Sequence, residues 1–433
     1  MKNKNFKIVT VSALLLVTLL QVSCKKNYTD PSRATEDQVF KSAKGLTGVV
    51  VGLQRVYTLG RGSTLYNLIT INGLTTNEMI VVNPGNTAEV QLAAGGNLVD
   101  GNHSMLTTFW TTCNKVVYDA DLVISNAAGL SDKNYASGLI AYASIFKALS
   151  IGDMAQFWEK VPAGTGTNVT FIDRVDGFKK AINVIDGALS AISANAISAA
   201  FTSSIPAGID ITNTLNALKA RYSLYAGLYT QALTAANLVD LSKKSTFNFD
   251  ATSLNPVFEV STSTNNVVQV KDSTLGLIPA LAPSLTDARV PFYTSINPTV
   301  APRFRINGFG NGVAVGIPVY LPGEITLIKA ECLARNNDST NSKIALNQVI
   351  TKTAGSDPFG VGANQPAINS FGSYAALLDE IYKQRCIELF MSGQKLEDMR
   401  RFGRPLSERK RNLMPYPLRE RDNNPNTPAD PLF

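Results

Sequence analysis

The stretch LLDEIYKQRCIELFMSGQKLEDMRRFGRP, residues 377–405, decides the fold of this chain. Its apolar residues recur at three- and four-residue spacing, which places them on one face of a helix. They are Leu378, Ile381, Tyr382, Cys386, Leu389 and Phe390. Gly393 suits a turn with positive φ, and a second short helix is predicted from Leu396 to Phe402. The stretch therefore predicts two helices packed at a sharp turn, not a catalytic motif.

Charged residues in the same region predict an ion-pair network. Arg385 and Glu388 lie one helical turn apart and can pair, and Asp398 and Arg401 follow on the second helix. Residues 383–421 carry a local charge of about +6 within a chain of +7, and their basic residues alternate with acids. Nucleic-acid binders instead spread basic residues along one face with interleaved aromatics. We therefore expect Arg385, Glu388, Asp398 and Arg401 to fix the two helices, and we predict no nucleic-acid partner.

Most of the remaining chain has helical periodicity, so the predicted fold class is mostly α. The clearest pair of helices is Leu215–Tyr225 and Gln231–Leu241, whose Gly-x-Tyr-x-x-Ala spacing resembles a tetratricopeptide hairpin. Residues 60–104 and 245–322 break the pattern with dense Gly, Asn, Thr and Pro, which predicts irregular surface inserts with a few short strands. The proline-rich tail, residues 412–433, is predicted to lie extended across the surface.

The N-terminus predicts an exported, lipid-anchored protein. Residues 1–23 combine a basic start with an apolar run of 13 residues, Ile8 to Leu20, which is too short to span a bilayer and is typical of a signal peptide. The run ends in Leu-Gln-Val-Ser-Cys, which resembles a bacterial lipobox with Cys24 as the lipidated residue, although Gln21 departs from it. Residues 24–34 then form a tether, and residues 35–433 form a single domain.

Cysteine and histidine usage excludes several kinds of site. The mature chain keeps three cysteines and has one histidine, His103, so neither a disulfide framework nor a zinc site with several histidines is predicted. No D-x-D-x-D-G calcium loop is present. We therefore predict no cofactor and assign no metal ligands, and the sequence leaves open whether a divalent cation binds.

Several motifs, taken in order, resemble the SusD/RagB family of outer-membrane lipoproteins from Bacteroidetes. After the lipobox come DADLVISNA (119–127), KALSIGDMAQFWEKVP (147–162), NALKARYSLYAGLYTQALTAA (216–236), DAR (287–289), LPGEITLIKAECLAR (321–335), ALN (345–347), QRCIELFMSGQKLEDMRRFGRP (384–405) and MPYPLRERDNNPN (414–426). The family's usual C-terminal wording is matched by Arg385, Glu388, Leu389, Gly393, Asp398 and Arg401, whereas Gln384, Ser392, Lys395 and Leu396 depart from it.

The resemblance implies tetratricopeptide-like helical hairpins with loop inserts that bind ligand. It also implies a non-enzymatic lipoprotein of the cell outer membrane, exposed at the surface, that delivers oligosaccharide or peptide to a SusC-like, TonB-dependent transporter. Lys25 and Lys26 stand where the family commonly has acidic residues that favour surface export.

The two inserts hold the candidate ligand-binding residues, because sugars are recognised by aromatic faces together with amides and guanidinium groups. These are Tyr66, Asn83, Asn86, Phe292, Tyr293, Arg303, Phe304, Phe309 and Tyr320. The alternative for the aromatics is core filling beneath a loop, and for the asparagines it is turn formation.

Two other functions stay open at this point. A helical glycoside hydrolase or lyase would need paired carboxylates, such as Asp153 with Glu159 or Glu397 with Asp398. A scaffold would use tetratricopeptide grooves to hold a protein partner.

Overall fold

Helical hairpins dominate the computed structural model, which describes residues 39–263, 266–299 and 301–432. The predicted signal peptide, Cys24 and the tether lie outside these residues. The helices are α1 (Ala43–Thr58), α2 (Thr64–Thr75), α3 (Thr87–Ala94), α4 (Ser104–Ala127), α5 (Lys133–Phe157), α6 (Arg174–Ala194), α7 (Ala199–Thr202), α8 (Ile211–Tyr225), α9 (Tyr229–Asn237), α10 (Arg289–Tyr293), α11 (Pro322–Arg335), α12 (Ser339–Ile350), α13 (Tyr374–Glu388), α14 (Lys395–Arg401) and α15 (Leu418–Asn423). The mostly α fold class is confirmed.

The long helices pack in succession. Helix α5 packs against α4 and α6, α6 against α8, α8 against α9, α9 against α11, and α11 against both α12 and α13. Polar residues begin many of these helices by accepting a hydrogen bond from a backbone N–H of the first turn. These N-caps include Ser42, Ser63, Asp132, Asp210, Asp338 and Ser373. Because the helices pack in this order, each hairpin buries its apolar face against the next one, as in repeat proteins.

Helix α5 is the axis of this bundle. It is long and apolar enough to cross a membrane, but 89% of its most apolar window is buried inside the protein. Gly152 lets α5 approach α8 closely, since a Cβ there would lie 2.2 Å from the ring of Tyr222. Helix α5 is thus a core helix of the folded domain.

The prediction of a surface insert over residues 60–104 is wrong for α2, in which every residue is buried. Its sequence, TLYNLITINGLT, mixes Thr and Asn with apolar residues, and several of these polar side chains donate hydrogen bonds within the protein. The Thr75 hydroxyl donates to the Ile71 carbonyl at 2.6 Å, and the Asn72 amide donates to the Gly393 carbonyl at 2.8 Å. Because α2 is enclosed on all sides, it has no apolar stripe from which a helix could be recognised.

The strands form two-stranded antiparallel ribbons that join distant segments. They are β1 (Met79–Val81), β2 (Lys160–Pro162), β3 (Phe171–Asp173), β4 (Thr246–Phe247), β5 (Val268–Val270), β6 (Thr294–Ile296), β7 (Phe304–Ile306) and β8 (Ile317–Pro318). Strand β1 pairs with β5, β2 with β3, β4 with β8, and β6 with β7. The pairing of Ile80 with Gln269 connects the two predicted inserts directly. The Gln269 side chain also accepts from the Ile306 N–H of β7 at 2.7 Å, so the inserts form one continuous region beside the bundle.

The C-terminal tail, predicted to lie extended across the surface, is partly helical and partly buried. It contains the short helix α15, and Tyr416 is fully buried. The Trp158 indole donates to the Pro415 carbonyl at 2.9 Å, and the Trp110 indole donates to Glu420 at 3.0 Å. The tail therefore seals the outside of α4 and α5.

Candidate functional site

Three half-buried aromatic rings form a contiguous face on the insert side of the molecule. The ring centroids of Phe292 and Phe309 lie 5.4 Å apart, and those of Phe309 and Phe359 lie 6.1 Å apart. Both pairs pack edge to face, the arrangement that aromatic quadrupoles favour. Behind them, buried Tyr293 contacts Phe292, Phe309 and Phe390. We call Phe292, Phe309 and Phe359 the aromatic face.

Each ring of the aromatic face comes from a different segment. Phe292 lies on α10, Phe309 lies in the 3₁₀ turn Gly308–Gly310, and Phe359 lies in the loop that follows α12. Gly308 has a φ of +58°, and a Cβ there would lie 3.0 Å from the Phe292 ring. A glycine is therefore needed for the turn to approach Phe292 so closely.

Polar groups border the aromatic face. The Lys244 ammonium lies 5.5 Å from the centroid of the Phe359 ring, within the range of a cation–π contact. Asn307 is half-buried, and its amide donates to the Pro291 carbonyl at 3.1 Å. Rings with an amide and a cation at their border can bind a ligand that has both apolar faces and hydroxyl groups.

A cavity of about 70 Å³ lies between the helical bundle and the inserts. Phe309 and Tyr293 line it on the side of the aromatic face, and Asp153, Gln156 and Arg221 line it on the side of the bundle. Gln156 is 2% exposed, and its Oε1 has no hydrogen-bond partner among the residues described. The cavity therefore combines an apolar wall with an available hydrogen-bond acceptor.

The charges in this cavity are balanced. Arg221 pairs with Glu324 through its Nε at 2.6 Å and its Nη2 at 2.8 Å. The Tyr57 hydroxyl donates to Asp153 Oδ2 at 2.6 Å. Burial raises the pKa of Asp153 to about 7. The Tyr57 hydrogen bond and the charge of Arg221 act to lower this pKa, but their effect is smaller than that of burial. The cavity is therefore close to neutral below pH 7.

The structure divides the predicted ion-pair network into two clusters. Arg385 donates to both oxygens of Asp398, at 2.9 and 3.0 Å, and Arg401 bridges Asp398 and Glu331. Glu388 does not pair with Arg385. It accepts from Arg289 and Lys352 instead, because its side chain points toward the inserts and away from α14. Burial would raise the pKa of Glu331, but Arg401 and Arg385, with Arg335, lower it to about 2.

Gly393 has the positive φ predicted for it, +80°. Helix α13 nevertheless ends five residues earlier, at Glu388, and the connection passes against α2. A Cβ on Gly393 would lie 2.5 Å from Leu68. A glycine is therefore needed here for two reasons: the turn requires a positive φ, and the backbone passes close to α2.

The candidate ligand residues of the first insert are engaged in the fold. Tyr66 is fully buried in α2. The Asn83 side chain accepts from the Gly85 N–H at 3.0 Å, and Asn86 Oδ1 accepts from Arg61 at 2.8 Å. Only Asn83 is well exposed. Its side chain forms a turn, which agrees with the alternative that the sequence left open.

The candidates of the second insert lie closer together. Phe292, Tyr293 and Phe309 are in mutual contact, while Tyr320 is buried in the cavity wall and accepts from the Asn213 amide at 2.7 Å. Phe304 is half-buried on β7 opposite Ile296, and Arg303 is exposed just before it. Their part in ligand binding stays a prediction.

Phe359 and Lys244 belong to the same surface, although sequence reasoning missed both. Phe359 sits in the Gly/Pro/Asn loop that follows α12, where the run Asp-Pro-Phe-Gly (357–360) places one aromatic within turn residues. That lone aromatic was the available signal. Lys244 carries no pattern of its own and is brought to Phe359 only by the tertiary fold.

The carboxylates considered for hydrolysis are not arranged as a catalytic pair. Asp153 is buried, whereas Glu159 is exposed. Glu397 pairs with Arg174 and Arg400, and Asp398 pairs with Arg385 and Arg401. In the part of the chain that the structure describes, no three His, Cys, Asp or Glu side chains gather to hold a metal ion.

Comparisons with known proteins find a family match over the C-terminal part of the chain and similar folds over most of it. Residues 315–430 match the model of the SusD family. A SusD homolog from Bacteroides thetaiotaomicron superposes with a TM-score of 0.73 at 12% identity, covering 92% of this chain and 99% of the other. A SusD superfamily protein from the same organism gives 0.70 at 14% identity, with 90% and 100% covered. A SusD-like carbohydrate binding protein from Bacteroides vulgatus gives 0.65 at 16% identity, with 83% of each chain covered. No curated protein matches the sequence.

Proposed function

We propose that this chain is a member of the SusD/RagB family and that it is a non-enzymatic protein that binds oligosaccharide or another nutrient oligomer. The match of residues 315–430 to the SusD family model and the SusD-like fold support this proposal. We further propose that lipidated Cys24 anchors it in the outer membrane, on the cell surface, and that it delivers the ligand to a TonB-dependent, SusC-like transporter. The family assignment supports the binding role, and the sequence from residue 1 to residue 34 supports the anchor.

The aromatic face is the observation that carries the binding role. The C–H groups on one side of a sugar ring are apolar, so they bury well against Phe292, Phe309 and Phe359, whose rings are only half-buried within the protein. Hydroxyl groups at the rim of the sugar need donors and acceptors, which Asn307 and Lys244 can supply. The surface therefore suits a neutral oligosaccharide better than a strongly charged ligand.

We propose the aromatic face, rather than the cavity beneath it, as the surface that contacts the sugar. The rings of Phe292 and Phe309 are only half-buried, whereas Asp153 and Gln156 on the bundle side of the cavity are each 2% exposed. An oligosaccharide would therefore lie across Phe292 and Phe309 from outside.

The hydrolase alternative receives no support from the carboxylates named for it. Retaining and inverting glycosidases need two carboxyl groups facing one another across an open cleft. Glu397 and Asp398 are each held by two arginines, and Asp153 is enclosed. Incubation of the protein with any glycan that it binds should leave the glycan intact, as measured by mass spectrometry.

The binding role is tested on purified protein lacking residues 1–34. Affinity electrophoresis against a panel of polysaccharides, followed by calorimetry on oligosaccharides, should identify at least one ligand. Phe309→Ala should weaken its binding about tenfold or more, which corresponds to ~1.4 kcal/mol. Tyr118→Ala is the matched control, because Tyr118 is a half-exposed aromatic on α4, outside the aromatic face. Equal losses in both variants, or no response to any glycan or peptide mixture, would contradict the proposal.

The cellular part of the proposal needs separate experiments. The full-length wild-type protein should fractionate with the outer membrane. The Cys24→Ala variant should lose that association. Affinity purification from solubilised outer membrane should recover a TonB-dependent barrel protein. Recovery of the protein without such a barrel would refute delivery to the transporter, and unchanged fractionation of Cys24→Ala would refute the anchor.

A further inference from the structure

A segment of the second insert and the loop that follows α12 meet at a single carboxylate of the helical bundle. Glu388 is the last residue of α13 and is fully buried. Its Oε2 accepts from Arg289 Nη1 at 3.0 Å, and its Oε1 accepts from Lys352 Nζ at 2.6 Å. Arg289 begins α10, and Lys352 follows the end of α12. One side chain therefore holds two separate segments.

Each of these cations is also held by an acid of its own segment. Arg289 donates through Nε and Nη2 to the two oxygens of Asp287, at 3.0 and 2.7 Å. Lys352 donates to Asp357 at 2.6 Å. Burial acts to lower the pKa of Lys352, but Glu388 and Asp357 together raise it above its usual value, so the ammonium stays charged. The cluster is a continuous chain of buried, charge-assisted hydrogen bonds.

The two segments carry two of the three rings of the aromatic face. Phe292 lies on α10, three residues after Arg289. Phe359 lies two residues after Asp357, whose Oδ1 accepts from the Phe359 N–H at 2.8 Å. Tyr293, which supports the face from behind, donates its hydroxyl to the Glu388 carbonyl at 2.6 Å. The side chain and the main chain of Glu388 thus act on the same surface.

The bundle leaves the Glu388 carboxylate little freedom to move. Helix α11 passes so close that a Cβ on Gly323 would lie 1.8 Å from Glu388 Oε1. The carboxylate is therefore held from the bundle side by packing and from the insert side by two cations. Its position is transmitted to both cations, and through them to the rings.

We propose that Glu388 is a positioning residue for the aromatic face. It sets the spacing between Phe292 and Phe359 through Arg289 and Lys352 without touching the ligand. The inference rests on the proposed function, because it assigns a role in binding to a residue outside the binding surface. Asp398 on α14 provides the contrast. It is also a buried carboxylate with two cationic partners, but these are Arg385 and Arg401, which lie in neither segment.

The test compares Glu388→Gln with Asp398→Asn, each of which removes one buried negative charge and keeps the size of the side chain. Amide hydrogen exchange should accelerate in residues 287–293 and 352–361 of Glu388→Gln, and not in the same segments of Asp398→Asn. Ligand affinity of the folded protein should fall by about 2- to 30-fold in Glu388→Gln, the range for residues that act on a site indirectly. It should stay unchanged in Asp398→Asn.

Hydrogen exchange needs no ligand, so it separates this inference from the proposed function. If no glycan binds but the two segments exchange faster only in Glu388→Gln, the proposed function has failed and the positioning role of the carboxylate within the fold stands. If exchange in the segments is the same in both variants, or if affinity is unchanged while exchange rises, the inference is overturned. Should Glu388→Gln fail to fold, Lys352→Met replaces it. This milder variant should accelerate exchange in residues 352–361, and unchanged exchange there would overturn the inference.

Discussion

Replacing Asp398 by alanine should strongly destabilise the protein. Asp398 is 1% exposed and accepts two hydrogen bonds from Arg385 and one, at 2.7 Å, from Arg401. Without this carboxylate, the fully buried Arg385 keeps only Glu331, at 4.0 Å, as an acidic partner among the described residues. A buried guanidinium that loses its main partner is an uncompensated charge, and breaking such a pair costs about 3–5 kcal/mol.

The expected change in melting temperature follows from the size of the domain. At about 2.1 cal/mol/K per residue, some 400 residues give an unfolding entropy of about 0.8 kcal/mol/K. A loss of 3–5 kcal/mol therefore lowers Tm by roughly 4–6 °C. Differential scanning calorimetry of the wild type and Asp398→Ala at pH 7 measures this shift directly.

The control is Asp119→Ala, which removes a surface carboxylate paired with Lys115 at 2.7 Å. Exposed pairs contribute about 0.2–1 kcal/mol, so Tm should change by about 1 °C or less. Ligand affinity of folded Asp398→Ala should equal that of the wild type. A Tm for Asp398→Ala that matches Asp119→Ala would refute the role given to this ion-pair cluster, and lost affinity at unchanged Tm would reverse it.

Three further predictions concern packing, pH and thiol reactivity. Gly323→Ala should lower the free energy of unfolding by about 1–3 kcal/mol in urea denaturation, because the added Cβ collides with Glu388. The control is Gly187→Ala on α6, where a Cβ meets no described atom within 4 Å. This variant should be as stable as the wild type or more stable. Unfolded chains release the Asp153 proton near pH 4, but the folded protein keeps it to about pH 7, so this residue makes stability fall as pH rises between these values. Asp153→Asn should remove that part of the slope in urea denaturation at pH 4.5 and pH 8, and an unchanged slope would contradict it. Burial raises the pKa of the thiols of Cys113, Cys332 and Cys386. None should react with Ellman's reagent at pH 8 until the protein is unfolded, and rapid labelling of the native protein would show that burial does not protect them.

Sequence patterns predicted the fold wherever an element has one face in water. Helix α4 has an apolar stripe because its other face is solvated, and its periodicity is plain in the sequence. The C-terminal stretch was informative for another reason, since Gly393, Asp398 and Arg401 are spaced as a turn and an ion-pair cluster require. The periodicity did not reveal helix α2, because burial on every side removes the apolar stripe. Its Asn72 and Thr75 side chains are buried all the same, since they donate hydrogen bonds within the protein.

The candidate site was predictable only in part. Aromatic residues in an irregular insert indicated Phe292 and Phe309, and the structure places these two in contact. Sequence alone could not distinguish them from Tyr320, which faces the inner cavity. Sequence alone also could not predict that Phe359, fifty residues after Phe309, contacts it. That contact depends on how Lys352 and Glu388 meet in three dimensions.

The anchored tail has a consequence for how the chain is made. Trp158 is covered by Pro415, and the Lys160 N–H donates to the Tyr416 hydroxyl at 2.9 Å, so residues of the first half are completed by residues about 256 positions later. Contacts this distant in sequence slow folding, since a large loop must close before they form. Because a polypeptide is synthesised from its N-terminus, α5 lacks this cover until Pro415 and Tyr416 have been made. The protein can reach its final core only after that point of synthesis.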